Sequence, residues 1–167
     1  GKIAIVTGAS RGLGRGIALT FAKEGGYKVY ATARNGNALN TLSDEASENE
    51  KGGTVHPYIL DQNDDAAVEQ FVSIVSANEG QVDVLVNSAY GGLVAIAPHF
   101  GKPFWERPIS VFDEAMNIGV RSSYVMSKFV APLMVNQKEG LIIQTSSLGS
   151  FIYAFDVAYG VAHAGMD

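Results

Sequence analysis

The sequence contains no cysteine among its 167 residues, and this absence excludes several kinds of chemistry. Disulfide bonds, catalysis by a thiol and zinc sites with cysteine ligands are impossible. Histidine and acidic residues do not cluster at ligand spacing, so no metal site is predicted. Long apolar runs are also missing, because none approaches the roughly 18 residues of a membrane-spanning helix. We therefore expect neither a bound metal nor a membrane span.

Positive charge is scarce, with 12 lysines and arginines against 17 acidic residues and a net charge of −5. A general nucleic-acid binder needs a basic surface, so this function is not expected, although a small basic pocket for a phosphate fits the balance. The length suits one domain, and the cytoplasm is the default location. The chain begins at Gly1 without a methionine, and we expect its natural start to lie upstream.

What the sequence does contain is a regular alternation of strand-like and helix-like segments. Buried strands are predicted at residues 3–8, 28–33, 54–60, 82–87 and 141–146. Helical spacing of apolar residues is found in 13–22, 38–51, 68–75 and 109–135, and again from Tyr159 onward. Residues 91–108 are predicted to form a long loop of functional interest. Strands alternating with helices predict an α/β fold, a doubly wound parallel sheet of the Rossmann-like kind, in one domain over 1–167.

The segment TGASRGLG (7–14) joins the first strand to the first helix. Absent side chains let the backbone turn tightly and approach a pyrophosphate, which the helix amides then face. A glycine-rich turn without a nucleotide is the alternative, but the strand before and the helix after favour a nucleotide. The predicted cofactor contacts in this turn are Gly8, Ser10, Arg11, Gly12, Leu13 and Gly14.

The end of the second strand indicates which nucleotide binds. A site for NAD places a carboxylate there, against the 2′-hydroxyl of the adenosine ribose. Here Ala33 lies near that position, Arg34 follows it, and Arg11 lies in the glycine turn. Two guanidinium groups and no carboxylate suit a 2′-phosphate, so NADP is predicted over NAD. The alternative is a pair of solvated surface arginines.

Five motifs occur in a specific order, namely TGASRGLG, LDQND (60–64), NSAY (87–90), SSLGS (146–150) and YGVAH (159–163). Together they resemble the short-chain dehydrogenase/reductase family over the whole chain. The resemblance implies an NADP(H)-dependent oxidoreductase that reduces a small ketone or aldehyde to an alcohol, or catalyses the reverse. It also implies a homodimer or homotetramer. Further cofactor contacts that it implies are Asp61, Gln62, Asn87, Ala89, Tyr159 and His163.

Members of this family continue beyond the equivalent of residue 167 into further strands and a segment that covers the substrate. The resemblance therefore implies that the chain is an incomplete copy of a longer single domain. The strands and the lid that follow in relatives would come after residue 167.

The family usually works with asparagine, serine, tyrosine and lysine. Ser146 matches the serine, with Ser147 as the alternative, and Tyr159 matches the tyrosine. His163 stands where lysine is usual, and Gly119 stands where the asparagine is usual. Two of the four catalytic positions therefore differ from the family pattern. NSAY differs as well, with Ser88 and Tyr90 where asparagine and glycine are usual.

The chemistry explains why position 163 matters. Carbonyl reduction needs a proton donor, here Tyr159, and a hydrogen-bond donor to the carbonyl oxygen, here Ser146. A nearby fixed positive charge makes a tyrosine a better proton exchanger at neutral pH, and residue i+4 shares its helix face. Histidine ordinarily has a pKa of about 6.5, so it is mostly neutral at pH 7.

Three interpretations of His163 remain open at the level of sequence. The first is a weaker, pH-dependent reductase. The second is a cofactor-binding protein without turnover, which acts through nucleotide sensing or through partners. The third is that the natural protein carries another residue at this position.

Trp105, Tyr153 and Phe155 are predicted to form either an apolar substrate wall or, as is commoner for aromatic residues, part of the core.

Overall fold

The computed structural model of the chain describes residues 1–48 and 50–167. Within them, five strands form one parallel sheet in the order β3-β2-β1-β4-β5. The strands are Ile3–Thr7 (β1), Lys28–Ala33 (β2), Thr54–Ile59 (β3), Val84–Asn87 (β4) and Leu141–Gln144 (β5). The predicted order of elements and the parallel pairing are therefore confirmed.

Seven α-helices connect and cover these strands within the described residues. They are Gly12–Lys23 (α1), Gly36–Ser47 (α2), Asp65–Glu79 (α3), Gly92–Ile96 (α4), Ser110–Ala115 (α5), Ser122–Gln137 (α6) and Val157–Met166 (α7). No helix within 1–48 or 50–167 is long and apolar enough to cross a membrane.

Residues on the central strand β1 alternate between the two faces of the sheet. Ile3 and Ile5 pack with the apolar side chains of α3 and α6, whereas Ala4 and Val6 pack with those of α1 and α2. Because both faces are covered, the strand is buried along its whole length, which explains its continuous apolar sequence. This arrangement confirms the doubly wound fold.

The helix predicted at 38–51 begins and ends earlier, at Gly36–Ser47, and position 49 lies outside the described residues. It begins early because the side chain of Asn35 accepts a hydrogen bond of 3.2 Å from the amide of Ala38 and caps the first turn. Its last buried side chain is Ala46. Packing supplies most of a helix's stability, so a helix with no buried side chain after Ala46 ends close to it, at Ser47.

Two other segments differ from the predicted elements. The single helix predicted at 109–135 is divided into α5 and α6 by a π-helical turn, Met116–Arg121, in which Ile118 leaves helical geometry (φ −97°, ψ 28°). The long loop predicted at 91–108 contains α4 and two 3₁₀ turns, Ala97–His99 and Phe104–Glu106. Helix α4 forms there because it buries Ile96. Inserted π turns often accompany functional sites, and this one faces α7.

Candidate functional site

A cleft of about 1450 Å³ opens at the edge of the sheet where β1, β2, β3 and β4 end. In open α/β sheets, ligands bind at this edge. The cleft brings together ten of the predicted cofactor contacts, which come from four separate loops. They are Gly8, Ser10, Arg11, Gly12, Leu13, Gly14, Arg34, Asp61, Gln62 and Ala89.

The glycine turn packs against the end of β4 and leaves space on its outer side. A Cβ on Gly8 would lie 2.7 Å from the Cα of Ala89, and one on Gly14 would lie 2.6 Å from the carbonyl oxygen of Gly8. Gly12 differs, because among the described atoms nothing lies within 4 Å of its Cβ position. Helix α1 begins at this glycine with no side-chain cap and no acidic residue in its first turn. Its first amides therefore suit an anion such as a pyrophosphate.

The two arginines predicted to read the 2′-phosphate both line this cleft. Arg11 and Arg34 are exposed, and in the described part of the chain neither forms an ion pair with a carboxylate. Ala33, at the end of β2, brings no acidic group to the cleft. Asp61 does line it, and its carboxylate accepts a hydrogen bond of 3.0 Å from the amide of Asn63. The pair of free guanidinium groups suits a phosphate better than a ribose hydroxyl.

Asn87 is buried at the end of β4, beside the cleft. Its amide nitrogen donates a hydrogen bond of 2.9 Å to the hydroxyl of Ser127 on α6. Its side-chain oxygen is buried and has no hydrogen-bond partner in residues 1–48 and 50–167. Buried polar atoms are nearly always paired in folded proteins, so an orphaned one beside a cleft is a candidate contact for a polar ligand.

Helix α7 presents Tyr159 and His163 on one face, as their i, i+4 spacing predicts. The centroids of the two rings are 4.2 Å apart, and both side chains are buried. Within the described chain, neither ring nitrogen of His163 has a hydrogen-bond partner. Burial lowers the pKa of His163 below its usual value, and the charge of Asp167 opposes this shift. The imidazole is therefore neutral at neutral pH.

Ser146 follows β5 and is exposed. Hydrogen bonds from the hydroxyls of Ser146 and Ser150 hold the pKa of the Asp167 carboxyl below its usual value. The alternative, Ser147, has a structural role, because its hydroxyl accepts a hydrogen bond of 3.0 Å from the amide of Gly149 and caps a 3₁₀ turn. Of the two serines, Ser146 therefore has the hydroxyl that is not committed to the backbone.

The three aromatic residues predicted as core or substrate wall lie on the surface of the described chain. Trp105, Tyr153 and Phe155 are 73%, 69% and 52% exposed, so the core interpretation is wrong. None of the three side chains belongs to the buried clusters on the two faces of the sheet. Phe155 packs edge-on against Tyr159, with ring centroids 5.1 Å apart, and Phe100 packs against Phe155 at 6.0 Å.

The sequence reasoning missed an ion pair that fixes the beginning of α7. Asp156 caps this helix by accepting a hydrogen bond of 2.6 Å from the amide of Ala158. Its other oxygen lies 2.5 Å from a guanidinium nitrogen of Arg107, and both side chains are almost fully buried. Arg107 also donates to the carbonyl oxygens of Lys102 and Phe155. The sequence feature that could have revealed this cap is an aspartate, Asp156, just before a helical pattern, which is typical of an N-cap.

A second missed residue is Tyr90. Its position usually holds glycine in the family, but no role was predicted for it. Its ring centroid lies 4.8 Å from that of His163 and 5.7 Å from that of Tyr159. Its burial and the nearby Tyr159 and Asp156 raise the pKa of its hydroxyl. Tyr90 therefore stays neutral and packs directly against both candidate catalytic residues.

Comparison with protein families gives a match over nearly the whole chain. The family model for short chain dehydrogenase matches residues 2–167. The human protein Dehydrogenase/reductase SDR family member 1 is 42% identical over 168 residues, an alignment that covers 100% of this chain and 53% of that protein. The chain thus spans about half the length of this curated relative.

Solved structures show the same fold. A metagenomic short-chain oxidoreductase in complex with NADP superposes with a TM-score of 0.83 and 29% identity, over 99% of this chain and 71% of that one. An NAD⁺-bound xylitol dehydrogenase superposes with a TM-score of 0.86 and 28% identity, over 98% of this chain and 60% of that one. Similar chains therefore bind nicotinamide cofactors of both kinds.

The buried pair between Arg107 and Asp156 leads to a test of what holds α7. Arg107→Met should lower the free energy of unfolding by about 3 kcal/mol, because it leaves a buried carboxylate without its partner. Arg121→Met is the matched control, since the Arg121–Asp65 pair is exposed and should contribute far less. Urea unfolding of both variants measures the difference. Equal losses would contradict a special role for the buried pair.

Proposed function

Because the chain belongs to the short-chain dehydrogenase/reductase family, we propose that the protein is an NADP(H)-dependent oxidoreductase acting on a small carbonyl compound or the corresponding alcohol. The observation that carries this proposal is the position of Tyr159 and His163, side by side on α7. Tyr90 packs against both of them and also lines the cleft made by the glycine turn. A proton donor thus lies next to a dinucleotide-sized cleft.

The residues present fit a nicotinamide dinucleotide. The open space over Gly12 and the uncapped amides of α1 suit its pyrophosphate. Within residues 1–48 and 50–167 the guanidinium groups of Arg11 and Arg34 form no ion pair, so they suit a 2′-phosphate, which supports NADP over NAD. The side-chain oxygen of Asn87, which has no partner in the same residues, suits a donor of the cofactor.

The bound cofactor would supply or accept the hydride, and the chain's own residues would manage the proton. In carbonyl reduction, Tyr159 donates its phenolic proton to the carbonyl oxygen. Ser146 donates a hydrogen bond to the same oxygen and stabilises the charge that develops there. His163, neutral at neutral pH, donates one hydrogen bond to a ribose hydroxyl or a water, a weaker service than the charge of a lysine.

A second candidate function is cofactor binding without turnover, as in a nucleotide sensor. The neutral, buried His163 and the missing side chain at Gly119 favour it, because a fixed charge and an amide of the usual set are both lost.

The implied homodimer or homotetramer also stays a prediction. It is supported by exposed apolar side chains on and beside the helices α5 and α6, namely Ile109, Phe112, Tyr124 and Val135.

Turnover distinguishes the two functions. We expect NADPH oxidation with at least some members of a panel of aldehydes and ketones, in the natural full-length protein. Tyr159→Phe should lower kcat by about 100-fold or more while NADPH still binds, because the phenol is the proton donor. Tight NADPH binding without oxidation across the panel would instead support the sensor.

Cofactor preference tests the roles of Arg11 and Arg34. NADPH should bind more tightly than NADH by about 1–3 kcal/mol, as is typical of charge-assisted hydrogen bonds. Arg34→Ala should weaken NADPH much more than NADH in titration calorimetry. Arg15→Ala is the control, because Arg15 pairs with Glu45 and does not line the cleft. Equal affinities for the two cofactors in the unmodified protein would refute the preference.

The pH dependence tests His163. A histidinium favours the tyrosinate form of its neighbour, so reduction should weaken as pH rises through the lowered pKa of His163. His163→Lys should flatten this decline and raise kcat at pH 7 by at least about fourfold, since even an ordinary imidazole is only about one-quarter protonated there.

The control for this experiment is His163→Gln, a neutral donor that should lose the rise at low pH without gaining activity at neutral pH. The measurement is kcat and KM for NADPH-dependent reduction across the pH range in which histidine titrates. A lysine variant no faster than the natural protein, with NADPH still bound, would show that charge at this position does not limit the reaction.

A further inference from the structure

The ring of Tyr90 occupies the space into which a side chain at position 119 would extend. A Cβ on Gly119 would lie 3.1 Å from Cδ2 and 3.2 Å from Cε2 of Tyr90. These distances are tighter than about nine in ten real Cβ contacts, and an asparagine would add three more heavy atoms beyond that Cβ. A tyrosine at 90 and an asparagine at 119 therefore compete for one volume.

Gly92 forms the other end of the same slot. A Cβ there would overlap the hydroxyl of Tyr90 and would lie 2.5 Å from its Cζ. Gly92 and Gly119 are both buried, whereas Tyr90 is half-buried and lines the cleft. Two glycines from α4 and from the π-helical turn thus make room for one phenol ring.

The same ring also packs against the candidate catalytic pair. Tyr90 packs tilted against His163 (46°) and edge-on against Tyr159 (81°). The hydroxyl of Tyr90 is buried and has no partner among the residues described. The ring therefore acts through contact, by contributing to the burial of the imidazole and by limiting how both rings can turn.

We propose that Tyr90 is a positioning residue that takes over the volume usually filled from position 119 and holds Tyr159 and His163 in place. The family pattern is broken twice, by a tyrosine at 90 and a glycine at 119. The two changes then compensate each other, because volume usually filled from position 119 is filled from position 90, 29 positions earlier in the sequence. The proposal depends on the proposed function only for the catalytic roles of Tyr159 and His163. The packing claim stands without it.

Few charges face His163. On α7 the neighbours are Tyr159 and Asp167, and within the described chain Asp167 is the charged group that acts on the pKa of His163. The elements packed against α7 also carry Asp113 and Glu114 on α5 and Arg121 in the π-helical turn, and Arg121 is paired with Asp65. Burial is the largest influence, so removing the ring that buries His163 should be visible in its titration.

A double-mutant cycle in the natural full-length protein tests the exchange. Gly119→Asn alone should lower Tm by about 4 °C or more, because it overpacks the slot. Tyr90→Gly alone should also lower Tm, by opening a cavity. The double variant Tyr90→Gly/Gly119→Asn should be more stable than the sum of the two losses predicts. Strictly additive losses would overturn the proposal.

The imidazole titration supplies a readout that a general loss of stability would not move. Tyr90→Gly should hydrate His163 and shift its pKa upward, toward the ordinary value of about 6.5. Tyr90→Phe keeps the ring and should leave this pKa unchanged. NMR can follow the histidine signals of this protein, with His163→Gln identifying the signal of His163. An unchanged pKa in Tyr90→Gly would overturn the proposal.

A milder pair of variants covers the case in which Tyr90→Gly does not fold. Gly119→Ala should give a lower Tm than Gly16→Ala, because a Cβ on Gly119 presses on the ring of Tyr90, whereas one on Gly16 in α1 meets none of the described atoms within 4 Å. Equal effects of the two alanines would overturn the proposal. None of these readouts needs a substrate, so a protein that fails to bind NADPH would refute the proposed function while leaving the role of Tyr90 to be decided by Tm and pKa.

Discussion

The hydroxyl of Thr7 joins the two halves of the site. Thr7 is the last residue of β1. Its hydroxyl accepts hydrogen bonds of 3.0 Å and 3.1 Å from the amides of Ser88 and Ala89, just after β4. The next residue, Gly8, approaches Ala89 so closely that no side chain fits between them. From this junction the chain runs one way into the glycine turn and α1, and the other way into Tyr90. The cleft and the candidate catalytic pair are therefore placed relative to one another by one contact between neighbouring strand ends.

Helix α7 is held in two places, and both bear on chemistry. The buried pair of Arg107 and Asp156 fixes its beginning, and the ring of Tyr90 covers its inner face. Among the described residues, buried side-chain polar atoms without a partner lie on Asn87, Tyr90 and His163, and a further one lies on His99 in the segment before α5. Each such atom destabilises a fold by about 1–3 kcal/mol. Their concentration in one region is typical of a site that binds a polar ligand.

When the sequence is compared with the family pattern one position at a time, residues 90 and 119 are two separate departures. Each by itself argues for lost activity. In the fold they meet, because the turn after β4 and the π-helical turn pack side by side. The ring of Tyr90 fills the space that a side chain at position 119 would occupy. The absence of an asparagine at Gly119 therefore leaves no empty cavity. The missing fixed charge at His163 is the larger difference from a site that carries lysine.

Local patterns in the sequence were enough to predict the α/β class, the order of the elements and the glycine turn, because these depend on periodicity and turn residues that lie close together along the chain. They also placed Tyr159 and His163 on one face, since four residues make about one helical turn. The folded chain was needed to show the division of the helix at 109–135, the exposure of Trp105 and the meeting of Tyr90 with Gly119. These features depend on how distant segments share volume, and volume shared between distant segments leaves no local pattern in the sequence.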